Sequence, residues 1–200
     1  MFGIDIGQVL VVFLVVLVSL TVHEAAHAWS ADWLGDPTAR QLGRVSLNPL
    51  VHIDPIGTIV FPLIALMTGL PVLGWAKPVP VSPPNLHPNW RRKYMLIAAA
   101  GPASNLVLAV AGSLLLLTGL VPDLLRIFVV INVFLAVFNM VPVPPLDGGN
   151  VLSGLVGGAA ADTLDRLRPY GFLVLYALMF TGLLFAIVDP PAEFLLRLLL

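Results

Sequence analysis

From Ile4 to Leu34 the chain contains no proline and little but apolar side chains, yet between Ile6 and Ala31 it carries three ionisable residues, His23, Glu24 and His27. A run of this length and hydropathy predicts a membrane-spanning helix ending at Gly35-Asp36-Pro37. Ionisable groups inside such a helix are costly and need a partner. Whatever this chain folds into must satisfy that cluster.

Composition agrees. Of the 200 residues 58% are hydrophobic and 10% charged, against about 25% charged in ordinary soluble domains; the mean hydropathy is +0.98. Net charge is -1 and no basic stripe could follow a phosphate backbone, which excludes nucleic acid as a partner. There is no cysteine, so disulfides, thiolate metal sites and cysteine nucleophiles are excluded, and a metal would need histidine and carboxylate. The run from Val9 to Val22 leads to Ala26-His27-Ala28, a small-x-small pattern like a signal cleavage site. It follows Asp5 and no basic residue, so the helix is expected to be retained.

Further spans are expected at Tyr94 to Leu120, interrupted by Gly101-Pro102, at Asp123 to Val141, and at Tyr170 to Val188, with Pro191 to Leu200 as a short amphipathic tail. Ile56 to Leu73 is apolar but holds Pro62, Gly69 and Pro71, and reads as a helix that spans or re-enters. Lys77-Pro78-Val79-Pro80-Val81 alternates as an edge strand does. With no internal repeat, the reading is one all-α polytopic membrane domain over residues 1–200. It has about four spanning helices, a re-entrant or extra helix, and short membrane-associated strands.

Eight of the ten lysines and arginines (40, 44, 77, 91, 92, 93, 166 and 168) gather on one side if the loop after the first helix, the 74–93 segment and the 160–169 segment face the cytoplasm. That orientation, in a plasma membrane, puts the N-terminus outside and His23 to His27 towards the cytoplasm. It requires Ile56 to Leu73 to start and finish on the same side. Tryptophans 29, 33, 75 and 90 suit interfacial belts, Arg91-Arg92-Lys93 a headgroup anchor, and His87 the surface.

Helical residues four apart share a face, so His23 and His27 can bind one cation while Glu24 lies beside them. In this His-Glu-x-x-His arrangement the carboxylate can deprotonate a metal-activated water. A catalytic zinc needs a third protein ligand. Asp147 is the best candidate, because Pro145 and Gly148-Gly149 let it leave the axis of a broken helix. Asn105 and Asn139, buried in apolar helices, need hydrogen-bond partners and could equally be packing contacts between helices. His52 is a substrate contact, a transition-state stabiliser, an additional zinc ligand, or an interfacial histidine bonded to its loop.

His23-Glu24-Ala25-Ala26-His27, Gly101-Pro102-Ala103-Ser104-Asn105, and Phe138-Asn139-Met140-Val141-Pro142 running to Leu146-Asp147-Gly148-Gly149 occur in this order. Together they resemble the site-2 protease family of intramembrane zinc metalloproteases, peptidase M50, in a compact form without PDZ or CBS domain. The resemblance implies one zinc per chain on His23, His27 and Asp147, Glu24 as general base, and Asn139, with Asn105, binding the substrate strand or oxyanion. It implies a zinc endopeptidase that hydrolyses single-span membrane proteins in the bilayer. A substrate helix must unwind to expose its carbonyls, and the 77–81 strand could receive it by edge pairing. Two other function classes fit parts of the pattern: a metal or ion transporter using the same residues as a pathway, and an inert zinc-binding scaffold. Transporters usually show repeated halves, and none is visible.

Overall fold

A computed structural model describes residues 6–61, 64, 67 and 74–200. Helix α1 is Ile6–Trp33, α2 Trp90–Leu116, α3 Pro122–Asn139, α4 Asp147–Val156, α5 Gly158–Leu167, α6 Gly171–Phe180 and α7 Leu183–Leu199. Of these α1, α2 and α3 are long and apolar enough to cross a bilayer, and the bent unit Gly158–Phe180 with Leu183–Leu199 makes a fourth if counted as one span. The protein is therefore an all-helical, multi-pass membrane protein.

Polar contacts fix how the helices run. Ser19 meets Asn105 and Asn132, His23 meets Asn105, and His27 meets Ile97. Positions rising along α1 thus meet positions falling along α2, and the two helices are antiparallel. Beyond them Ala31, Leu86 and Ile97 form a small apolar core with Leu34, Val81, Trp90 and Tyr94. The C-terminal end of α1 and the N-terminal end of α2 therefore lie on the same side. Helix α3 turns back along α2, with Phe128 and Val129 against Gly112. After a break at Met140–Leu146, α4 continues along α2 until Gly154 meets Met95.

The connection between α1 and α2 must then leave and return on one side. Trp75 N–H donates to the Gly57 carbonyl at 3.2 Å, and the Thr58 hydroxyl donates to the Trp75 carbonyl at 2.9 Å. The Trp75 ring packs against Phe61 and Phe172. Only 17 residues, 58–74, separate the joined ends. Phe61, Ile64 and Met67 are helical and exposed; the rest of the expected Ile56 to Leu73 helix lies largely outside the described residues.

Two expectations are corrected. Among the described residues there is no strand. Residues 77–81 are extended, but Pro78 and Pro80 have no N–H for a ladder, and the Lys77 and Pro78 carbonyls accept from Arg44 instead. The last span, read as Tyr170 to Val188, is broken at Thr181-Gly182, where Gly182 has φ 75, and turns by 78° into α7. Helix α7 then absorbs Pro190, Pro191 and the expected amphipathic tail, and the Ser113 hydroxyl donates to the Leu199 carbonyl at 2.5 Å. Arg91, in the cluster expected at the headgroups, donates to Asp162 at 2.6 Å and Asp165 at 2.9 Å, tying α5 to the start of α2.

Asp36, with no exposed surface, clamps the connection. Its carboxylate accepts from Ser82 N–H, from the Asn85 amide, and from the N–H and hydroxyl of Thr38. Burial alone would raise its pKa. The donors to the ionised form outweigh burial and hold it below the ordinary 3.8. A depressed carboxylate stabilises the fold above its unfolded pKa and loses that contribution as pH falls through the folded value. The melting temperature of Asp36→Asn should therefore lie below that of the wild type at pH 7, and the gap should narrow in acid below about pH 4; a gap independent of pH would contradict the clamp.

The topology is checked by labelling, since the chain has no cysteine of its own. Single cysteines at positions 38 and 92 should react from the same side of the membrane and one at 119 from the other. Labelling of 38 and 92 from opposite sides would break the antiparallel α1–α2 arrangement.

Candidate metal centre

One turn of α1 brings His23 and His27 onto the face that meets α2, and both are nearly fully buried. Imidazole rings need space there, and α2 supplies it at Gly101. A Cβ on Gly101 would lie 2.4 Å from His27 Nε2 and 2.6 Å from His23 Nε2. One residue on, Pro102 offers no N–H, so the Ala98 carbonyl has no helical donor. Beside it, the Ile97 carbonyl accepts from His27 Nδ1 at 2.7 Å.

His23 Nδ1 donates to Asn105 Oδ1 at 2.6 Å. The Asn105 amide donates to Asn132 Oδ1 at 2.9 Å and faces the Ser19 carbonyl at 3.4 Å, and the Asn132 amide donates to Ser19 Oγ at 2.9 Å. The Nδ1 partners of both histidines are pure acceptors, so Nδ1 carries the proton in each. Both Nε2 lone pairs are then left facing inward.

The third group arrives from the break after α3. Asp147 is the first residue of α4, and the Met140–Leu146 turn folds back over that first helical turn. A Cβ on Gly148 would lie 2.3 Å from the Met140 carbonyl oxygen, and one on Gly149 would lie 2.7 Å from Pro144 N. The two glycines let the turn sit close enough to aim Asp147 at the histidines. Asp147 Oδ2 is 3.1 Å from His23 Nε2 and 3.3 Å from His27 Nε2, and the two Nε2 atoms are 3.1 Å apart.

These separations decide what the triad can hold. Zinc bonds of about 2.0–2.1 Å in tetrahedral geometry give ligand-to-ligand edges of roughly 3.3 Å. Two lone-pair nitrogens and a carboxylate oxygen at such distances repel one another without a shared cation. The donor set of two imidazoles and one carboxylate fits zinc. Glu24, one residue after His23, is buried, and its Oε2 has no hydrogen-bond partner in the protein.

The other expected site residues fall elsewhere. Asn105 is fully buried with both ends of its amide engaged, bonded to His23 Nδ1 on the side away from the shared Nε2 atoms. The Asn139 amide donates to the Leu135 carbonyl of its own helix at 2.9 Å. His52 stands outside the triad: its Nε2 donates to the Ser46 carbonyl at 2.8 Å, and its Nδ1 lies 3.4 Å from Arg44 Nη2. It belongs to its loop, one of the roles open from sequence.

Comparison with known proteins places the chain in a family. The model of peptidase family M50 matches residues 117–182, which include Asp147. The "Putative zinc metalloprotease YwhC" of Bacillus subtilis (strain 168) is 38% identical over 181 residues, covering 84% of this chain and 78% of that protein. The chain belongs to peptidase family M50. A second relative, the "Putative zinc metalloprotease Rip2" of Mycolicibacterium smegmatis (strain ATCC 700084 / mc(2)155), is 30% identical over 178 residues, covering 82% of this chain and 64% of its own length. No solved structure matches this M50 chain.

Sequence reading missed Asn132, Ser19 and the close approach at Gly101. A signal existed for two of them: Ser19 lies one turn before His23, and Asn132 is an amide in the middle of the apolar run Ile127 to Phe138 of α3. Two substitutions test the supporting shell. Asn105→Ala should weaken zinc affinity about 10- to 100-fold, as loss of such partners does, and Gly101→Ala should displace the histidines and lower zinc occupancy with helix content retained. Metal titration of the purified variants checks both; unchanged affinity would remove Asn105 and Gly101 from the centre.

Proposed function

We propose that this M50 chain is an intramembrane zinc endopeptidase, with His23, His27 and Asp147 holding one zinc and Glu24 as general base. One observation carries the reading: a three-ligand set with edges of 3.1–3.3 Å stands beside a buried carboxylate oxygen that the protein itself leaves unpartnered. Zinc at such a site supplies Lewis acidity, acidifying water and polarising a peptide carbonyl. Glu24 takes the proton of the attacking water as its oxygen bonds to the carbonyl carbon, and returns it to the amide nitrogen as the C–N bond breaks. The products are a carboxylate and an amine, and Glu24 is regenerated. No specific observation favours the transporter or scaffold readings.

The substrates proposed are single-span membrane proteins presented in extended form. Val79 and Val81 support this, since their N–H groups bond to nothing among the described residues and so offer donors to an extended chain. Asn139, at the end of α3, is proposed to face the same strand. The orientation proposed is N-terminus outside and site towards the cytoplasm, in the plasma membrane. It is supported by the shared side of Trp33 and Trp90, where most of the lysines and arginines gather.

Glu24→Gln should retain zinc but lose about 10²- to 10⁴-fold in kcat, the usual worth of a positioned base, whereas Asp147→Ala should lose zinc itself. Zinc analysis paired with cleavage of a single-span substrate in liposomes separates the two. Full cleavage by Glu24→Gln would refute the base, and full zinc occupancy in Asp147→Ala would refute the third ligand.

A further inference from the structure

A neutral imidazole offers its Nε2 lone pair to a metal only when the proton sits on Nδ1, so each histidine ligand depends on what faces its Nδ1. For His27 that group is the Ile97 carbonyl, a backbone oxygen that can only accept. For His23 it is the side-chain amide of Asn105. An amide has an accepting end and a donating end of nearly the same shape, and turning it over exchanges them. With Oδ1 towards His23, the proton is on Nδ1 and the Nε2 lone pair is free. With Nδ2 towards His23, Nδ1 must accept and the proton moves to Nε2, where the metal would have to bind.

What decides between the two lies on α3. Ser19, Asn105 and Asn132 have no exposed surface, so each polar end must be matched inside the bundle. One end of the Asn132 amide lies 2.9 Å from the Phe128 carbonyl oxygen and 2.9 Å from Ser19 Oγ. A backbone carbonyl only accepts, so that end is Nδ2 and the Oδ1 end points at Asn105. One end of the Asn105 amide stands 2.9 Å from this Oδ1 and 3.4 Å from the Ser19 carbonyl. Between two acceptors it can only be Nδ2. The end left for His23, at 2.6 Å from Nδ1, is Oδ1. A polarity set by a backbone carbonyl of α3 thus passes through two amides to an imidazole of α1; reversing it would set oxygen against the carbonyls of both Phe128 and Ser19.

We infer that Asn132 is a positioning residue for the metal centre: acting through Asn105, it selects the tautomer of His23 and thereby the affinity for zinc, with Ser19 as its anchor on α1. Asn132 itself bonds to none of the three ligands. The role rests on the reading of His23 as a zinc ligand. It differs from that of a packing contact between helices. Packing holds α1, α2 and α3 together whichever way the amides point, whereas the relay fails once the acceptor facing Asn105 is lost, even with the helices in place. His27, whose backbone partner cannot turn over, is indifferent to that loss.

The test uses the full chain in detergent micelles with three readouts: nitrogen NMR of the imidazoles in metal-free protein with both rings neutral, zinc affinity by titration, and helix content. Replacing the four histidines in turn assigns the signals. In the wild type His23 and His27 should both carry the proton on Nδ1. Asn132→Leu removes the acceptor at similar volume. It should keep its helix content, show an Nε2–H signal for His23 but not for His27, and bind zinc about tenfold more weakly, the lower end of what losing a ligand's partner costs. Asn132→Asp still presents an oxygen to Asn105 and should return both the Nδ1 proton and the zinc affinity towards wild type, a rescue that depends on polarity rather than packing. A wild-type His23 protonated on Nε2 would overturn the inference without any variant. Asn132→Leu with an unaltered His23 proton and unaltered zinc affinity would overturn it while leaving the zinc reading intact, as would Asn132→Asp binding zinc as weakly as Asn132→Leu. A wild type with both protons on Nδ1 that binds no zinc would overturn the zinc reading, and with it the role given to Asn132.

Discussion

Two imidazoles on a lipid-embedded helix can offer their lone pairs to one cation only if something else takes their protons. That requirement organises the rest of the structure. The Ile97 carbonyl serves His27 and Asn105 serves His23; Asn105 then needs Asn132, which needs Ser19. Each link is a buried polar group that would be costly alone in hydrocarbon and is satisfied only by the next. Residues from α1, α2 and α3 are therefore bound into one network, and the same contacts that orient the metal ligands fix the antiparallel packing of the helices.

Close backbone approach is the second constraint. Gly101 lets α2 touch the imidazole edges, and Gly148 and Gly149 let the Met140–Leu146 turn lie over the start of α4. Breaking the α3–α4 passage at this depth exposes backbone polar groups, which a membrane tolerates only where they are buried in protein or line a cavity. The gain is a carboxylate leaving the helix axis at the level of His23 and His27. Beneath that turn Val141, Leu146, Leu175, Met179, Leu184 and Val188 form the apolar cluster that supports it. The bend between α6 and α7 belongs to this support.

Much of this was legible in the residues. The His23–His27 spacing, the cost of burying charge, and proline and glycine around Asp147 single out the three candidate ligands that the structure brings together, because each signal is local and chemically exacting. The spans at α1, α2 and α3 follow from hydropathy, within a few residues at their ends. The strand at 77–81 was misread because alternation describes an extended chain but not its partner, and Arg44 proved to be that partner. The bend at Gly182 was invisible because continuous apolar sequence does not record direction. His52 and Asn105 could be assigned a need for hydrogen bonds but not the identity of the acceptor or donor, which only the packing of separate helices supplies. Charge distribution implied that the connection starts and finishes on one side, and Gly57 and Trp75 meet at its two ends.

The central claim is that one zinc sits on two histidines and one aspartate held ready by this network. X-ray absorption at the zinc edge of the purified wild-type protein tests it most directly. The account predicts one zinc per chain with two imidazole nitrogens at about 2.0–2.1 Å and oxygen ligands at about 2.0–2.2 Å. A folded protein that binds no zinc, or a zinc shell lacking the signature of two imidazoles, would contradict it.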